Sequence, residues 1–354
     1  MKLPIRKLLS LCLLFSMTAA LLTGCSGGKK QVNVLTYEGY IPDEIIADYE
    51  ARGYQVNYTA AQTNEQMLDL LQAAKGGTYD IVICDDYIIP SMIESQVAAQ
   101  LDYGRLSHAE NIDPHYQSQF YDEENLYSIP YLAGFPLIVY DPAQVDFEIK
   151  GYADLWDSRL KNKLVILDQY RVIPGITLLS MGQSMNTTDQ AVLAQCREKL
   201  LQLKPNVKLI DGSTPHVALI NGDAAAGFVF TSQAMEVVKQ RPDFKVVYPE
   251  EGLGFGVSCL MIAANAPHMD AAYDFVNYLL EGEVSAKVSE LINYINCNTA
   301  AEAYLSAEFK ANPVVYPPDS AFPPAAKRAP EIIQTVDNET NQIYDEMWTA
   351  FKNQ

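Results

Sequence analysis

The residue types that most often carry catalysis form no recognisable pattern in this chain. No two histidines have the spacing of a metal site, and no cysteine stands beside one in a zinc motif. The sequence also lacks the glycine-rich and serine-centred motifs of nucleotide-binding proteins and hydrolases. It therefore predicts a protein without a metal or cofactor and favours binding over catalysis. Carboxylates that are distant in sequence can still pair in space, so a surface enzyme stays an alternative. The four histidines are His108, His115, His216 and His268.

One cysteine has a context that predicts a modification. Residues 1–24 begin with three basic side chains and continue in a mostly apolar run at 8–22, which is shorter than the roughly 20 residues of a spanning helix and typical of a signal peptide. Leu-Thr-Gly-Cys at 22–25 resembles the bacterial lipoprotein signal, in which small residues precede a thiol that takes a lipid. We predict removal of residues 1–24, lipidation of Cys25 and a flexible tether at 25–31. The mature protein would then lie outside the cytoplasm, anchored to the cell membrane. A plain secretory signal with a chance cysteine is the alternative.

The other cysteines of the mature chain are widely spaced and stand mostly in apolar runs. Two disulfides with three possible connectivities are compatible with their number, but apolar surroundings favour small buried side chains. These cysteines are Cys84, Cys196, Cys259 and Cys297.

Length and charge restrict the class of protein further. The formal net charge is −19, and loss of the three basic residues of the signal peptide leaves −22. Such an acidic surface argues against nucleic-acid binding, which needs basic patches. It is compatible with attraction of a cationic solute and also with solubility alone. About 330 residues remain after cleavage, which is enough for two lobes rather than one core.

Strand-like and helix-like segments alternate along the chain in two series. The first has apolar strands at 32–37 and 79–84, and a capping box at 63–66 predicts a helix between them. The second begins after Gly134. Its predicted strands are 137–140, 164–167 and 226–230, and the helices predicted along the rest of the chain are 187–203, with a capping box at Thr187 and Gln190, 269–280 and 332–351. The alternation predicts an α/β fold of two units with largely parallel sheets covered on both faces.

A set of short stretches follows in a fixed order along nearly the whole mature chain. They are Tyr37-x-x-Tyr40-x-Pro42, 79–82 with Tyr87, 127–131, 153–156, 186–189, 204–207, 263–266 and Ile343-Tyr344. Their composition and order resemble the spermidine/putrescine-binding proteins of polyamine ABC importers. The resemblance implies a two-lobed periplasmic-binding-protein-like fold of type II with a ligand cleft between the lobes. It places lobe one at 32–133 and 259–302 and lobe two at 134–258 and 303–354. It also implies a small-molecule ligand and an ABC transporter permease as partners.

The resemblance further implies a ligand site of aromatic, acidic and amide side chains. Carboxylates bind ammonium groups, and aromatic faces bind methylenes and cations. The candidate ligand-binding residues are Tyr37, Glu38, Tyr40, Asp85, Tyr87, Asp168, Gln169, Phe230, Ser258, Tyr294 and Gln334.

The acidic positions of the resembled family are only partly kept. Four positions that hold carboxylates in that family carry Gly39, Gln169, Val172 and Ser258 here. Glu38 and Asp85 are candidate substitutes, although helix capping is an alternative role for Asp85.

Two ligand hypotheses follow from these replacements. One is spermidine or putrescine, and the other is a different small solute such as a monocation or a zwitterion. An adhesin or scaffold would leave the cleft unused.

Overall fold

The computed structural model describes residues 30–252, 256–318 and 333–354. The predicted signal peptide, the Cys25 lipidation site and most of the predicted tether lie outside the described residues. Within the described ranges, no helix combines the length and the apolar character needed to cross a membrane.

Eleven strands form two separate sheets in the described part of the chain. The first sheet has the order β11-β4-β10-β3-β1-β2, and the second has the order β7-β6-β8-β5-β9. The strands are β1 Lys30–Tyr37, β2 Tyr54–Ala61, β3 Ile81–Asp85, β4 Ser128–Gly134, β5 Pro136–Tyr140, β6 Leu164–Ile166, β7 Val207–Ile210, β8 Ala226–Phe230, β9 Lys245–Val247, β10 Gly256–Ile262 and β11 Ile295–Asn296.

Helices pack against both sheets. The α-helices of the described residues are α1 Asp43–Ala51, α2 Asn64–Ala73, α3 Ile89–Glu94, α4 Val172–Ser180, α5 Gln190–Leu203, α6 Pro215–Ile220, α7 Thr231–Gln240, α8 Met269–Leu279, α9 Gly282–Ile292, α10 Ala307–Lys310 and α11 Asn338–Lys352. Short 3-10 helices span Asp86–Ile88, Tyr103–Arg105, Ala109–Asn111, Pro114–Tyr116, Tyr152–Trp156, Ser158–Leu160, Lys204–Asn206 and Thr299–Ala303.

The predicted α/β class and two-unit organisation are confirmed, but the sheets are mixed rather than largely parallel. Strands β1, β2 and β3 run parallel, as do β6, β7 and β8. Strands β10 and β5 run antiparallel to their neighbours β3 and β8. The antiparallel pairs arise at the connection between the units, since the chain passes from β4 in one sheet to β5 in the other without a helical crossover. We call the parts built on the two sheets the first unit and the second unit.

Several predicted boundaries differ from the structure in ways that side-chain hydrogen bonds explain. Helix α5 begins at Gln190 rather than at 187, because the Asp189 carboxylate accepts hydrogen bonds from two backbone N–H groups of the first turn. Helix α11 begins at Asn338, where Asp337 caps it, rather than at 332. Strand β1 already includes Lys30, so the last two residues of the predicted tether belong to the first sheet.

The two units meet where β4 leads into β5. A single residue, Phe135, separates these strands. Thr231 Oγ1 lies 2.8 Å from the backbone nitrogen of Phe135 and 3.1 Å from the carbonyl oxygen of Phe135. The predicted lobe boundaries at 133/134 and 258/259 fall inside β4 and β10, and the extent of the lobes stays a prediction.

The core is apolar on both sides of each sheet, and it contains the four described cysteines. All four are buried and free, which agrees with their interpretation as small apolar side chains. Cys84 and Cys259 face each other on β3 and β10.

Gly227 on β8 tests how tightly the second sheet packs. A Cβ atom at this position would lie 2.7 Å from Val165 Cγ1 and 3.0 Å from Leu219 Cδ1. We expect Gly227→Ala to lower the free energy of unfolding by about 1–3 kcal/mol, because the neighbouring strand β6 and helix α6 must shift. Urea denaturation measures this change in the free energy of unfolding. The matched control is Gly256→Ala, whose Cβ would meet no atom within 4 Å and which should change stability by less than about 0.5 kcal/mol. Equal losses in the two variants would contradict this account.

Candidate functional site

A cavity of about 270 Å³ lies between the two units. The carboxyl ends of β1 and β3 face it from the first unit, and those of β6 and β8 face it from the second. Ligands of open α/β sheets commonly bind at such strand ends, where the backbone turns into loops that present side chains. This arrangement makes the cavity the candidate binding site.

Asp85 is the centre of the polar wall on the first unit. One of its carboxylate oxygens accepts hydrogen bonds from Tyr37 Oη at 2.8 Å and Asn64 Nδ2 at 3.0 Å. The other accepts one from Ser258 Oγ at 2.9 Å, and Tyr40 Oη lies 2.5 Å from that hydroxyl oxygen. All of these groups are neutral. No lysine or arginine is present among the described residues that line the cavity.

The strand pairing explains why Asp85 points into the cavity. It is the last residue of β3, and Ser258 of β10 is its directly paired neighbour. Its side chain makes no capping hydrogen bond to the 3-10 helix that follows, so the capping alternative is wrong. Asp86 has a structural role instead. Its carboxylate accepts the N–H groups of Tyr87 and Val257, and burial raises the pKa of Asp86 well above its usual range.

Aromatic rings complete this wall. The Tyr37 and Tyr40 rings meet edge to face at 5.8 Å between centroids, and the Tyr294 ring lies 6.3 Å from that of Tyr40. Tyr294 fits there because Gly134 has no side chain, and a Cβ atom at Gly134 would overlap the Tyr294 ring. Burial raises the pKa of each of these three tyrosines, with the nearby Asp85 charge adding to the effect. The hydroxyls therefore stay protonated and act as neutral hydrogen-bonding groups.

The wall on the second unit is mostly apolar. It contains no aspartate or glutamate among the described residues that line the cavity. Its polar side chains are the amides of Gln169 and Gln233 and the hydroxyls of Tyr152 and Ser213. Its apolar lining consists of Pro136, Val172, Ile176, Leu179, Met185, Phe228, Phe230 and Ile333.

Nine of the eleven predicted ligand residues line this one cavity, and two do not. The nine are Tyr37, Glu38, Tyr40, Asp85, Tyr87, Gln169, Phe230, Ser258 and Tyr294. Of these, Glu38 is the exposed one.

The remaining two residues have other partners or surroundings. Asp168 accepts hydrogen bonds from Trp348 Nε1 at 2.7 Å and Lys352 Nζ at 2.9 Å, both on α11. These bonds hold its carboxylate against the helix and outside the cavity lining. Gln334 is exposed, and its described hydrogen bonds involve only its backbone N–H and carbonyl groups. Whether any of the eleven binds ligand stays a prediction.

Sequence reasoning missed Asn64, which forms hydrogen bonds with both the side chain and the backbone of Asp85. Its amide donates to the carboxylate, and its Oδ1 accepts the Asp85 backbone N–H at 3.0 Å. The capping box at 63–66 marked this segment as a helix start. Thr63 does accept the Gln66 N–H as predicted, but that local pattern does not show that the next side chain reaches β3.

Direct hydrogen bonds join the two units across the cavity. Tyr170 Oη lies 3.2 Å from Glu65 Oε1, and Ser213 Oγ lies 3.2 Å from Gln62 Oε1. Thr335 Oγ1 donates to the Tyr87 carbonyl oxygen at 2.7 Å. The structure is therefore closed around the cavity. Within the described ranges, no group of three or more His, Cys, Asp or Glu side chains is placed to bind a metal ion.

The raised tyrosine pKa values predict a loss of stability in alkali. Burial raises the pKa of Tyr58 and of Tyr170 to about 12, and it raises that of Tyr37 well above 10. The folded chain thus keeps protons that the unfolded chain releases near pH 10. This contribution is fully present below about pH 10 and is lost as the pH rises through the folded-state values.

An alkaline titration followed by phenolate absorbance and circular dichroism tests this prediction. We expect a large part of the phenolate absorbance to appear together with loss of secondary structure. Ionisation of all tyrosines near pH 10 in a chain that stays folded would contradict it.

Comparisons with known proteins identify the family of this chain. The model of the family described as bacterial extracellular solute-binding protein matches residues 44–317. The spermidine/putrescine-binding periplasmic protein of Salmonella typhimurium is 31% identical over 280 residues, which cover 78% of this chain and 80% of that protein. The spermidine/putrescine-binding periplasmic protein 1 of Haemophilus influenzae is 29% identical over 318 residues, which cover 85% of this chain and 88% of that protein.

A solved structure shows the same architecture. The spermidine/putrescine ABC transporter substrate-binding protein PotD from Streptococcus pneumoniae superposes with a TM-score of 0.77 at 28% identity, covering 92% of this chain and 99% of that one. The resemblance inferred from the short sequence stretches is confirmed. The chain belongs to the bacterial extracellular solute-binding proteins, in the family of the spermidine/putrescine-binding periplasmic proteins.

Proposed function

We propose that this protein captures a small aliphatic amine of the polyamine class outside the cytoplasm and delivers it to an ABC importer without altering it chemically. The observation that carries the proposal is the Asp85 carboxylate, which lines the cavity and has only neutral hydrogen-bond partners there. Removing a carboxylate from water is costly unless a cation compensates it. A ligand ammonium group supplies that cation.

The rings around Asp85 suit the rest of such a ligand. Tyr37, Tyr40 and Tyr294 present aromatic surface to the same cavity. Aromatic faces attract cations and also cover methylene groups. The names of the relatives favour this ligand class over an unrelated solute, since both relatives described above are spermidine/putrescine-binding proteins.

Closure of the cleft supports delivery to a transporter. The hydrogen bonds from Tyr170, Ser213 and Thr335 to the first unit form only when the walls approach each other. Hinge closure around a ligand gives such a protein two distinguishable surfaces, one open and one closed. A permease that recognises the closed form would engage loaded protein.

The proposed cell location follows from the N-terminal sequence. Cleavage after residue 24 and lipidation of Cys25 would anchor the protein to the cell membrane, since two or more acyl chains give stable attachment. Residues between Cys25 and β1 would then act as a short tether.

Calorimetric titration of the mature, unlipidated protein with spermidine and putrescine tests the ligand class. We expect saturable one-to-one binding of at least one of them at micromolar affinity or tighter, about −8 kcal/mol. Absence of binding by both would exclude the unsubstituted polyamines as ligands.

Asp85→Asn tests the residue that carries the proposal. The amide keeps the size of the side chain but removes its charge, so we expect polyamine affinity to fall at least tenfold, or about 1.4 kcal/mol. Glu38→Gln is the matched control, because Glu38 lines the same cavity but is exposed, where water screens its charge. We expect it to change affinity less than threefold. Unchanged binding by Asp85→Asn, with an unchanged melting temperature, would exclude Asp85 as the amine ligand.

A further inference from the structure

The cavity is electrostatically one-sided. The carboxylates among its described lining residues are Glu38, Asp85 and Asp86, and all three belong to the first unit. Asp86 is 2% exposed, and its two oxygens are committed to backbone N–H groups. Glu38 is exposed. Asp85 is therefore the carboxylate best placed to hold an ammonium group inside the closed cavity.

The opposite wall is unsuited to a second ammonium group. Its surface is built largely by apolar side chains such as Val172, Ile176 and Phe228, which are at most 8% exposed. An ammonium group placed there would lose its water without gaining a carboxylate.

A positive charge also lies behind this wall. Arg171 directly precedes Val172, is 4% exposed and has no ion pair among the described residues. Its guanidinium stacks over the Tyr344 ring at 4.6 Å. Arg171 lies outside the cavity lining and is also under the influence of Glu65, so its charge adds to, but does not by itself decide, the lack of a favourable place for a second ligand cation at this end.

The same wall does offer groups that suit a neutral polar end. Tyr152 lines the cavity and is 0% exposed, and its hydroxyl has no hydrogen-bond partner in the described part of the chain. The Gln169 amide lies half-buried on the same side. A buried hydroxyl without a partner costs stability, and a ligand carbonyl that accepts its hydrogen bond would recover that loss.

We propose that the preferred ligand is a monocationic amine whose ammonium group binds Asp85 and whose neutral end, an amide on an aliphatic chain, lies against the second unit beside Tyr152 and Gln169. An N-monoacylated diamine has this chemistry. The inference deepens the proposed function and rests on it, because the ligand stays an aliphatic amine captured for import.

Competitive and direct calorimetry with N-acetylputrescine, putrescine and spermidine on the mature protein tests the inference. We expect N-acetylputrescine to bind at least tenfold more tightly than putrescine. Equal or tighter binding of putrescine or spermidine would overturn the inference while leaving the proposed function in place. If none of the three binds, the proposed function fails and the inference fails with it.

Gln169→Glu locates the far end of the ligand. The new carboxylate is isosteric with the amide and would bind the second ammonium group of putrescine. It should therefore raise the affinity for putrescine relative to that for N-acetylputrescine at least tenfold. An unchanged ratio in a folded variant would show that the far end lies elsewhere.

Tyr152→Phe tests the contact with the neutral end of the ligand independently. It keeps the inference testable even if Gln169→Glu does not fold. It should weaken N-acetylputrescine binding at least threefold more than putrescine binding. Equal effects on both ligands would contradict the proposed contact.

Discussion

The pairing of β10 with β3 holds the polar half of the site together. It places Ser258 opposite Asp85, so a hydroxyl and a carboxylate meet across the two strands. Tyr37 reaches the same carboxylate because β1 lies beside β3 in parallel register. Three strands that are far apart in sequence thus converge on one negative charge. Since the partners are neutral, they orient the charge without cancelling it.

The two units contribute unequal chemistry to the cavity. The first supplies charge and aromatic hydroxyls, and the second supplies an apolar surface with a few amide and hydroxyl groups. A ligand bound between such walls is oriented by the difference between them, because only one of its ends can approach Asp85. Specificity then depends on the uncharged wall as much as on the carboxylate, since buried polar groups without partners disfavour the wrong ligand.

Local patterns predicted the strand ends well and long-range partners poorly. The family resemblance selected Tyr37 and Asp85, and both line the cavity because each is the last residue of its strand. Asp168 also follows a strand, yet its carboxylate turns to Trp348, which lies 180 residues later in sequence, and to Lys352 on the same helix. Asn64 was missed for the same reason, because its helix-start position does not show that it reaches β3. The mixed sheets were missed because antiparallel returns depend on connections between the units.

The one-residue connection at Phe135 restricts how the cavity opens. A longer linker would let the two sheets slide or drift apart, whereas one residue between two paired strands permits little besides rotation. Thr231 contacts both backbone polar groups of Phe135, which ties this residue to the second unit. Gly134 directly precedes this residue, and the Tyr294 ring packs over it. A ring of the binding wall thus lies next to the connection between the sheets, whereas Ser213 and Gln62 join the two units across the cavity. Ligand release then breaks the hydrogen bond between Ser213 and Gln62, whereas the contact between Tyr294 and Gly134 lies within the first unit and is kept.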